Sequence, residues 1–395
     1  MSKVAPIGIL LAASILGTAC STRPALISET LGNGMRVLVL EDSTRPEVAV
    51  QTWFRSGSVD DPPSEPGLAH AVEHLVFARA SRGDRTRFAF TTRDQTAYVQ
   101  EVAPSSLAGI IQQECGRFAA LKPDPEVLRS EKAAIEKEEH DLLASNPEQV
   151  IYRKLFELAF DDHPYARPPL GDLARIRNLK PESLIRFHRE HYVPSNASLI
   201  FVGRTTATEV LPQVRLSCGG GEPAPLPRST EQPLRSLRIR TATVRVDPSW
   251  AGVIGLGFRV LPPDSESTEA LALMRLWIGE RLRASGLVRR LSVEYFKNEG
   301  PSLFSLLMET HSEAQVLEKL SELSRAKPTA EEWRRILQAR ASEIASDQSG
   351  NTVRAMGLAF GASAGPIDHD PADILLMAGR VIRPEVRVSV YAKKQ

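Results

Sequence analysis

Midway along the 395-residue chain, positions 218–233 read CGGGEPAPLPRSTEQP. Glycine and proline here oppose both a helix and a strand ladder, so the stretch is expected to be an extended connector. It leaves two pieces of similar length, 24–217 and 234–395, and the order of expected elements is the same in both. In the first, LGNGMRVLVLED and VAVQTWFRSGS read as strands, a helix runs through 70–77, FAFTTRDQTAYVQEV reads as two strands with a turn near Arg93 and Asp94, helices follow, and ASLIFVG is a buried-type strand. In the second, LRIRTATVRV and AGVIGLGFRV precede a helix over 267–284, then two strands, two helices and a terminal strand EVRVSVYAKK. The expectation is an α+β protein of two tandem homologous α/β sandwich units, each a mixed sheet covered by helices on one face, with the second unit eroded.

Composition narrows the partners. The chain is 42% hydrophobic, as globular domains are, and its 49 basic and 48 acidic residues form no long single-sign block. A nucleic-acid partner is therefore not expected. At the N-terminus Lys3 precedes the apolar run VAPIGILLAASILGTA and then Cys20. The run is too short to span a bilayer and reads as an export signal over residues 1–20. LGTAC resembles a bacterial lipoprotein signal, which makes Cys20 the expected lipid attachment, although Leu16 stands one position further from the cysteine than usual. The expected location is a membrane facing the periplasm, or, with plain cleavage after Ala19, the periplasm or medium. Cys115 and Cys218 then sit where a disulfide is permitted; one bridge, or a buried Cys115 with a loop Cys218, both fit the spacing.

The chemistry concentrates in GLAHAVEHLVF, where His70 and His74 are four residues apart and Glu73 lies directly before the second. On a helix, positions i and i+4 share a face, so both imidazoles can reach one ion while Glu73 projects beside them. Two imidazoles and one more protein ligand leave zinc an open position for water, whose pKa it lowers, and an unligated glutamate can take that proton. H-x-x-E-H is the inverzincin pattern. The third ligand is sought in the charged helix SEKAAIEKEEHD, which offers Glu131, Glu136, Glu138, Glu139 and His140; Glu131 and Glu138, seven apart, share a face, and Glu136 points elsewhere.

Taken in order, GSVDDPPSEPGLAHAVEHLVF, AFTTRDQTAYVQEV, LRSEKAAIEKEE, HPYARPPLGD and FHREHYVPSNASLIFVG resemble the pitrilysin family of zinc peptidases, which includes insulysin and the mitochondrial processing peptidase. The resemblance covers nearly all of residues 31–203. It implies that His70, His74 and Glu138 are zinc ligands, that Glu73 is the general base, and that Glu131 orients a ligating histidine. It also implies that peptide substrates add as a strand to a sheet edge at Ala89, Phe90, Thr91 and Thr92, inside a chamber closed by two halves.

Three features depart from the family pattern. Only 63 residues lie between His74 and Glu138, against roughly seventy or more in relatives. Phe88 stands where an asparagine usually precedes the edge strand. The second unit has no H-x-x-E-H, and the Arg and Tyr that relatives place there fall on Gly357 and Ala364, or on Arg354 and Gly361 in the nearest alternative. The leading expectation is accordingly a zinc endopeptidase acting on unfolded peptides, with a homologous partner subunit supplying the Arg/Tyr clamp. The alternative is a catalytically silent zinc-binding subunit that serves assembly or peptide binding. His369 in IDHDPADI reads as part of a turn and helix cap, and His188 and His191 as a helix surface.

Overall fold

The structure is a computed structural model that describes residues 25–79, 87–226, 233–261, 265–347, 352, 355–356 and 370–394. The export signal with Cys20, the four positions weighed for the Arg/Tyr clamp, and His369 lie outside the described residues.

The first sheet joins β1 (Ala25–Thr30), β2 (Arg36–Glu41), β3 (Val48–Phe54), β4 (Phe88–Thr91), β5 (Thr96–Val102) and β6 (Ala197–Gly203) in the order β1-β2-β6-β3-β5-β4. The strand β1 is additional to the sequence expectation; it forms a hairpin with β2 through the Asn33–Gly34 turn. Strand β3 reads VAVQTWF and is buried along its whole length, which suits a central strand whose two faces are both covered. The second sheet joins β7 (Arg240–Val246), β8 (Val253–Val260), β9 (Val288–Phe296), β10 (Ser302–Thr310) and β11 (Val388–Lys394) in the order β7-β11-β8-β10-β9. Leaving β1 aside, the two sheets have one topology. Each begins with a parallel pair formed by its first and last strands, Arg36 opposite Ser198 in one and Arg240 opposite Val388 in the other. Each continues through three strands paired antiparallel. The duplication expected from element order is thus present in the connectivity.

Helices α1 (Leu68–Ala78), α2 (Leu107–Cys115), α6 (Pro181–His191) and α7 (Ala207–Cys218) cover one face of the first sheet. Their core is built around Val50, Phe54, Leu68, Val72, Leu75, Tyr98, Ile111, Leu184 and Phe201. Full burial of side chains of this size is worth about 1.5–3 kcal/mol each, so this face dominates the stability of the unit. Cys115 at the end of α2 and Cys218 at the end of α7 form a disulfide. Of the two readings open at the sequence level, the bridged one is observed, because α7 carries Cys218 back onto α2 instead of leaving it in a loop. Helix α8 (Ser265–Ala284) occupies in the second unit the place of α1 and packs with α9 (Glu313–Leu323), α10 (Ala330–Asp347) and α11 (Pro371–Val381) around Met274, Trp277 and Phe304.

The far faces are covered as well, which exceeds the one-sided expectation. After α3 (Pro125–Ser145), helix α4 (Glu148–Phe160) leaves the first unit and lays Ile151, Leu155 and Phe156 on the far face of the second sheet, against Val253, Leu303, Leu307 and Val390. Glycine in β8 makes room: a Cβ at Gly255 would stand 2.6 Å from the Ile151 side chain. In return, Ala355 packs on the far face of the first sheet with Trp53 and Val99, and Gln51 donates to the Thr352 carbonyl at 2.7 Å. Among the described residues no helix is long and apolar enough to cross a membrane.

Candidate metal centre

Helix α1 starts at Gly67, whose φ of 97° lies in the left-handed region that glycine adopts without strain. The helix is capped from outside its own sequence. Asp61, buried in the DDPPSEPG loop, accepts hydrogen bonds from Gly67 N at 2.6 Å and Ala69 N at 2.8 Å. Burial pushes the Asp61 carboxyl up to about 7, opposed by those two backbone N–H groups and by Arg167. Arg167 itself donates to the carbonyls of Asp61 and Val59. The short α5 (Leu173–Ile176) and Gly171 close the same corner: a Cβ on Gly171 would lie 2.2 Å from Gly67 Cα.

One turn on, His70 Nε2 lies 3.4 Å and His74 Nε2 3.2 Å from Glu138 Oε2 on α3. The three ligand atoms lie within 4.8 Å of one another. Donors on a tetrahedral zinc with bonds of about 2.0–2.1 Å stand roughly 3.4 Å apart, so the observed spacings suit that ion. Glu131 accepts from His74 Nδ1 at 3.1 Å, which leaves the Nε2 lone pair facing the common point. The ring of His70 is buried edge-on to that of His74. Burial alone would disfavour charge on His74, but the hydrogen bonds and charges of Glu138, Glu73 and Glu131 outweigh it and raise the ring to about 9. The two histidines in turn hold the Glu138 carboxyl well below the usual carboxylate range. The protein's own field therefore favours positive charge here, which a dication supplies in place of imidazole protons.

Glu73 is 5% exposed and stands outside this ligand set, its Oε2 3.9 Å from His70 Nε2. It accepts from Thr91 Oγ1 at 2.9 Å, which ties it to β4. Burial raises its carboxyl, against the two histidines and Thr91. Ala89, Phe90 and Thr91 belong to β4, and Thr92 follows in the turn; β4 pairs only with β5 among the described residues, so its other edge is unpaired. Phe88, at the start of this strand, is exposed and stacks on Phe90. A cavity of about 520 Å³ opens between α1, β4, α3 and α4.

The remaining carboxylates of α3 are used elsewhere. Glu136 pairs with Arg177, Glu139 with Arg153 on α4, and His140 is exposed. The surface reading of His188 and His191 needs correction. His188 and His191 are buried, at 2% and 6% exposure, on the apolar face of α6 with Leu184 and Phe187. His188 bonds the Arg117 carbonyl at 2.9 Å, and burial lowers both rings to about 4. The charged residues between them concealed that face. The sequence also gave no signal for the platform beneath α1, where Arg117 forms a bidentate pair with Glu114 and stacks on Tyr98, whose hydroxyl reaches Tyr192 and the Glu73 carbonyl.

Two like α/β units, with an H-x-x-E-H helix crossed by an acidic helix beside an unpaired strand edge, define a zinc-peptidase class of fold. Residues 36–173 match the model for insulinase (peptidase family M16), and residues 178–341 match the model for the M16 peptidase inactive domain. The chain belongs to the M16 peptidase family.

The chain is 26% identical over 296 residues to a zinc protease of Streptomyces coelicolor, covering 69% of this chain and 61% of that one. It is 24% identical over 270 residues to the zinc protease PqqE of Helicobacter pylori, covering 64% and 61%. With the beta subunit of the mitochondrial processing peptidase of Dictyostelium discoideum it shares 25% identity over 200 residues, 47% of this chain and 42% of the other. The matches thus span about three-fifths of the first two relatives. In fold, it superposes on a Helicobacter pylori protease with a TM-score of 0.81 at 19% identity, over 94% of this chain and all of that one. The periplasmic protease PqqL of Escherichia coli gives 0.73 at 16% identity, over 94% of this chain and 48% of PqqL. Zinc is the metal these relatives name and the one the His70, His74 and Glu138 group suits.

Proposed function

We propose that the protein is a zinc-dependent endopeptidase that hydrolyses peptide bonds in unfolded peptides or protein segments. The observation that carries this reading is the convergence of two histidines and a glutamate on one point, with a separate buried carboxylate and an unpaired strand edge beside it. His70, His74 and Glu138 hold the metal, and Glu131 fixes the His74 tautomer. Bound there, zinc supplies Lewis acidity toward the attacking water and the scissile carbonyl. Glu73 takes the proton of that water and delivers it to the leaving amine; its buried position, which raises its carboxyl, suits both transfers. Thr91 holds the Glu73 carboxylate toward β4, so a substrate strand added along Ala89 to Thr92 passes the base. A homologous partner subunit supplies the Arg and Tyr that steady the oxyanion, and the mature chain is exported and held to a periplasm-facing membrane through Cys20.

The test is zinc content together with cleavage of a quenched peptide library by the protein lacking residues 1–20, alone and with a candidate partner chain. Glu73→Gln is expected to keep zinc and lose about 10²–10⁴-fold in rate. Stoichiometric zinc without cleavage under every condition would support the silent zinc-binding subunit instead.

A further inference from the structure

The walls of the cavity beside the metal centre carry a charge pattern that peptide hydrolysis itself does not require. Its lining holds three guanidiniums, Arg87, Arg93 and Arg153, against two carboxylates, Glu73 and Glu138. Both carboxylates are already committed, one to the proton and one to the metal. Arg93 sits with its guanidinium 3.5 Å above the Phe156 ring and donates from Nε to the Tyr165 carbonyl at 3.0 Å. Among the described residues no carboxylate stands within ion-pair distance of it. Arg153 is one-quarter exposed and pairs with Glu139 through one nitrogen, while Glu139 Oε2 and Arg153 Nη2 are left without hydrogen-bond partners. The pair balances the charge of Arg153 but leaves its Nη2, a donor on the cavity lining, without an acceptor. Aromatic rings of Phe90, Tyr152, Phe156 and Phe296 make up much of the remaining wall. Charges of one sign set in low-dielectric walls focus their field into the space between them.

We propose that this cavity selects peptide segments with an acidic side chain next to an apolar or aromatic residue, and disfavours basic ones. The inference rests on the peptidase reading of the same site but concerns which peptide is taken. Burial lowers Arg93 to about 9, against the opposing charges of Asp94 and Tyr165, so this wall holds a desolvated guanidinium without an ion-pair partner among the described residues. The rings accept the apolar neighbour, and the guanidiniums accept the carboxylate.

The experiment uses two quenched peptides identical except that Glu or Lys flanks a central Phe. Cleavage is read as kcat/KM on the wild-type protein, and binding as fluorescence anisotropy on Glu73→Gln. The acidic peptide is expected to be favoured by about tenfold in both readouts, with the ratio shrinking as salt screens the field. Arg153→Gln should reduce the ratio and Arg153→Lys preserve it; zinc stoichiometry and circular dichroism of both variants check the fold, and the salt series on the wild type needs no variant. Acidic preference in binding without cleavage would uphold this inference while overturning the peptidase reading. Cleavage of both peptides with equal or inverted preference would overturn this inference alone. Absence of both binding and cleavage would overturn the two together.

Discussion

Replacing Gly171 by alanine tests whether the placement of the metal helix depends on a single backbone contact. The new Cβ would stand 2.2 Å from Gly67 Cα, 2.7 Å from Gly67 N and 2.9 Å from the Pro66 carbonyl oxygen, all of them backbone atoms that cannot swing aside. Gly171 also has φ of 81°, a conformation that costs an L-residue about 1–2 kcal/mol. Adding about 1–3 kcal/mol for forced displacement gives a loss of roughly 2–5 kcal/mol. For a unit of this size each kcal/mol moves Tm by about 2–4 °C, so a fall of about 4–20 °C is expected by calorimetry. The displaced backbone is the first turn of α1, one turn before His70. A shift of about 1 Å there should cost on the order of 100-fold in kcat/KM beyond the loss of stability. Gly109→Ala is the control. It lies exposed within α2 with nothing within 4 Å of its Cβ position, and should gain about 0.5–1 kcal/mol. Unchanged Tm and unchanged kcat/KM in Gly171→Ala would refute the idea that this contact seats the metal helix.

Other outcomes follow from the same geometry. Glu131→Gln should weaken zinc binding by about 10–100-fold, read by competition with a chelator, because it removes the carboxylate acceptor of the His74 ring N–H. Cys115→Ser should destabilise the first unit by up to about 4–5 kcal/mol for a closed loop of roughly one hundred residues, and reductant should lower the wild-type Tm toward that of the variant. For Asp61 the folded carboxyl, near 7, lies above its unfolded value, so the native state holds the proton more tightly. Its contribution to stability is full below about pH 4 and is lost as pH rises to about 7, by at most a few kcal/mol at about 1.4 kcal/mol per pKa unit. The difference in urea midpoint between wild type and Asp61→Asn should therefore shift toward the variant across that interval; a difference that stays flat would refute the assignment.

Much of the centre could be read from residues alone because it rests on periodicity. Four residues on one helix put His70 and His74 on a common face, and seven residues on α3 align Glu131 with Glu138. These relations hold wherever such a helix forms, whatever it packs against. The alternation and turn signals of the strands are local in the same sense, and so is the repeated order of elements on either side of 218–233. Strand β1 and helix α7 escaped that reading: the ends of the short β1 are set by its pairing with β2, while α7 carries Pro212 within it even though Thr206 and Glu209 form a capping box at its start.

Docking decided the rest, since it joins residues far apart in the chain. Only the crossing of α1 and α3 selects Glu138 over Glu131 on the same face, and over Glu139, as the carboxylate facing both histidines. Asp61 caps α1 because a loop folds back over its first turn, at a sequence distance no cap motif spans. His188 and His191 are buried because α6 lies on the sheet, and α4 crosses to the second sheet because glycines in β8 leave space for it. Local sequence determines which side chains share a face. Which faces meet is set by the packing of whole elements, whose free energy is spread over many apolar contacts and is carried by no single motif.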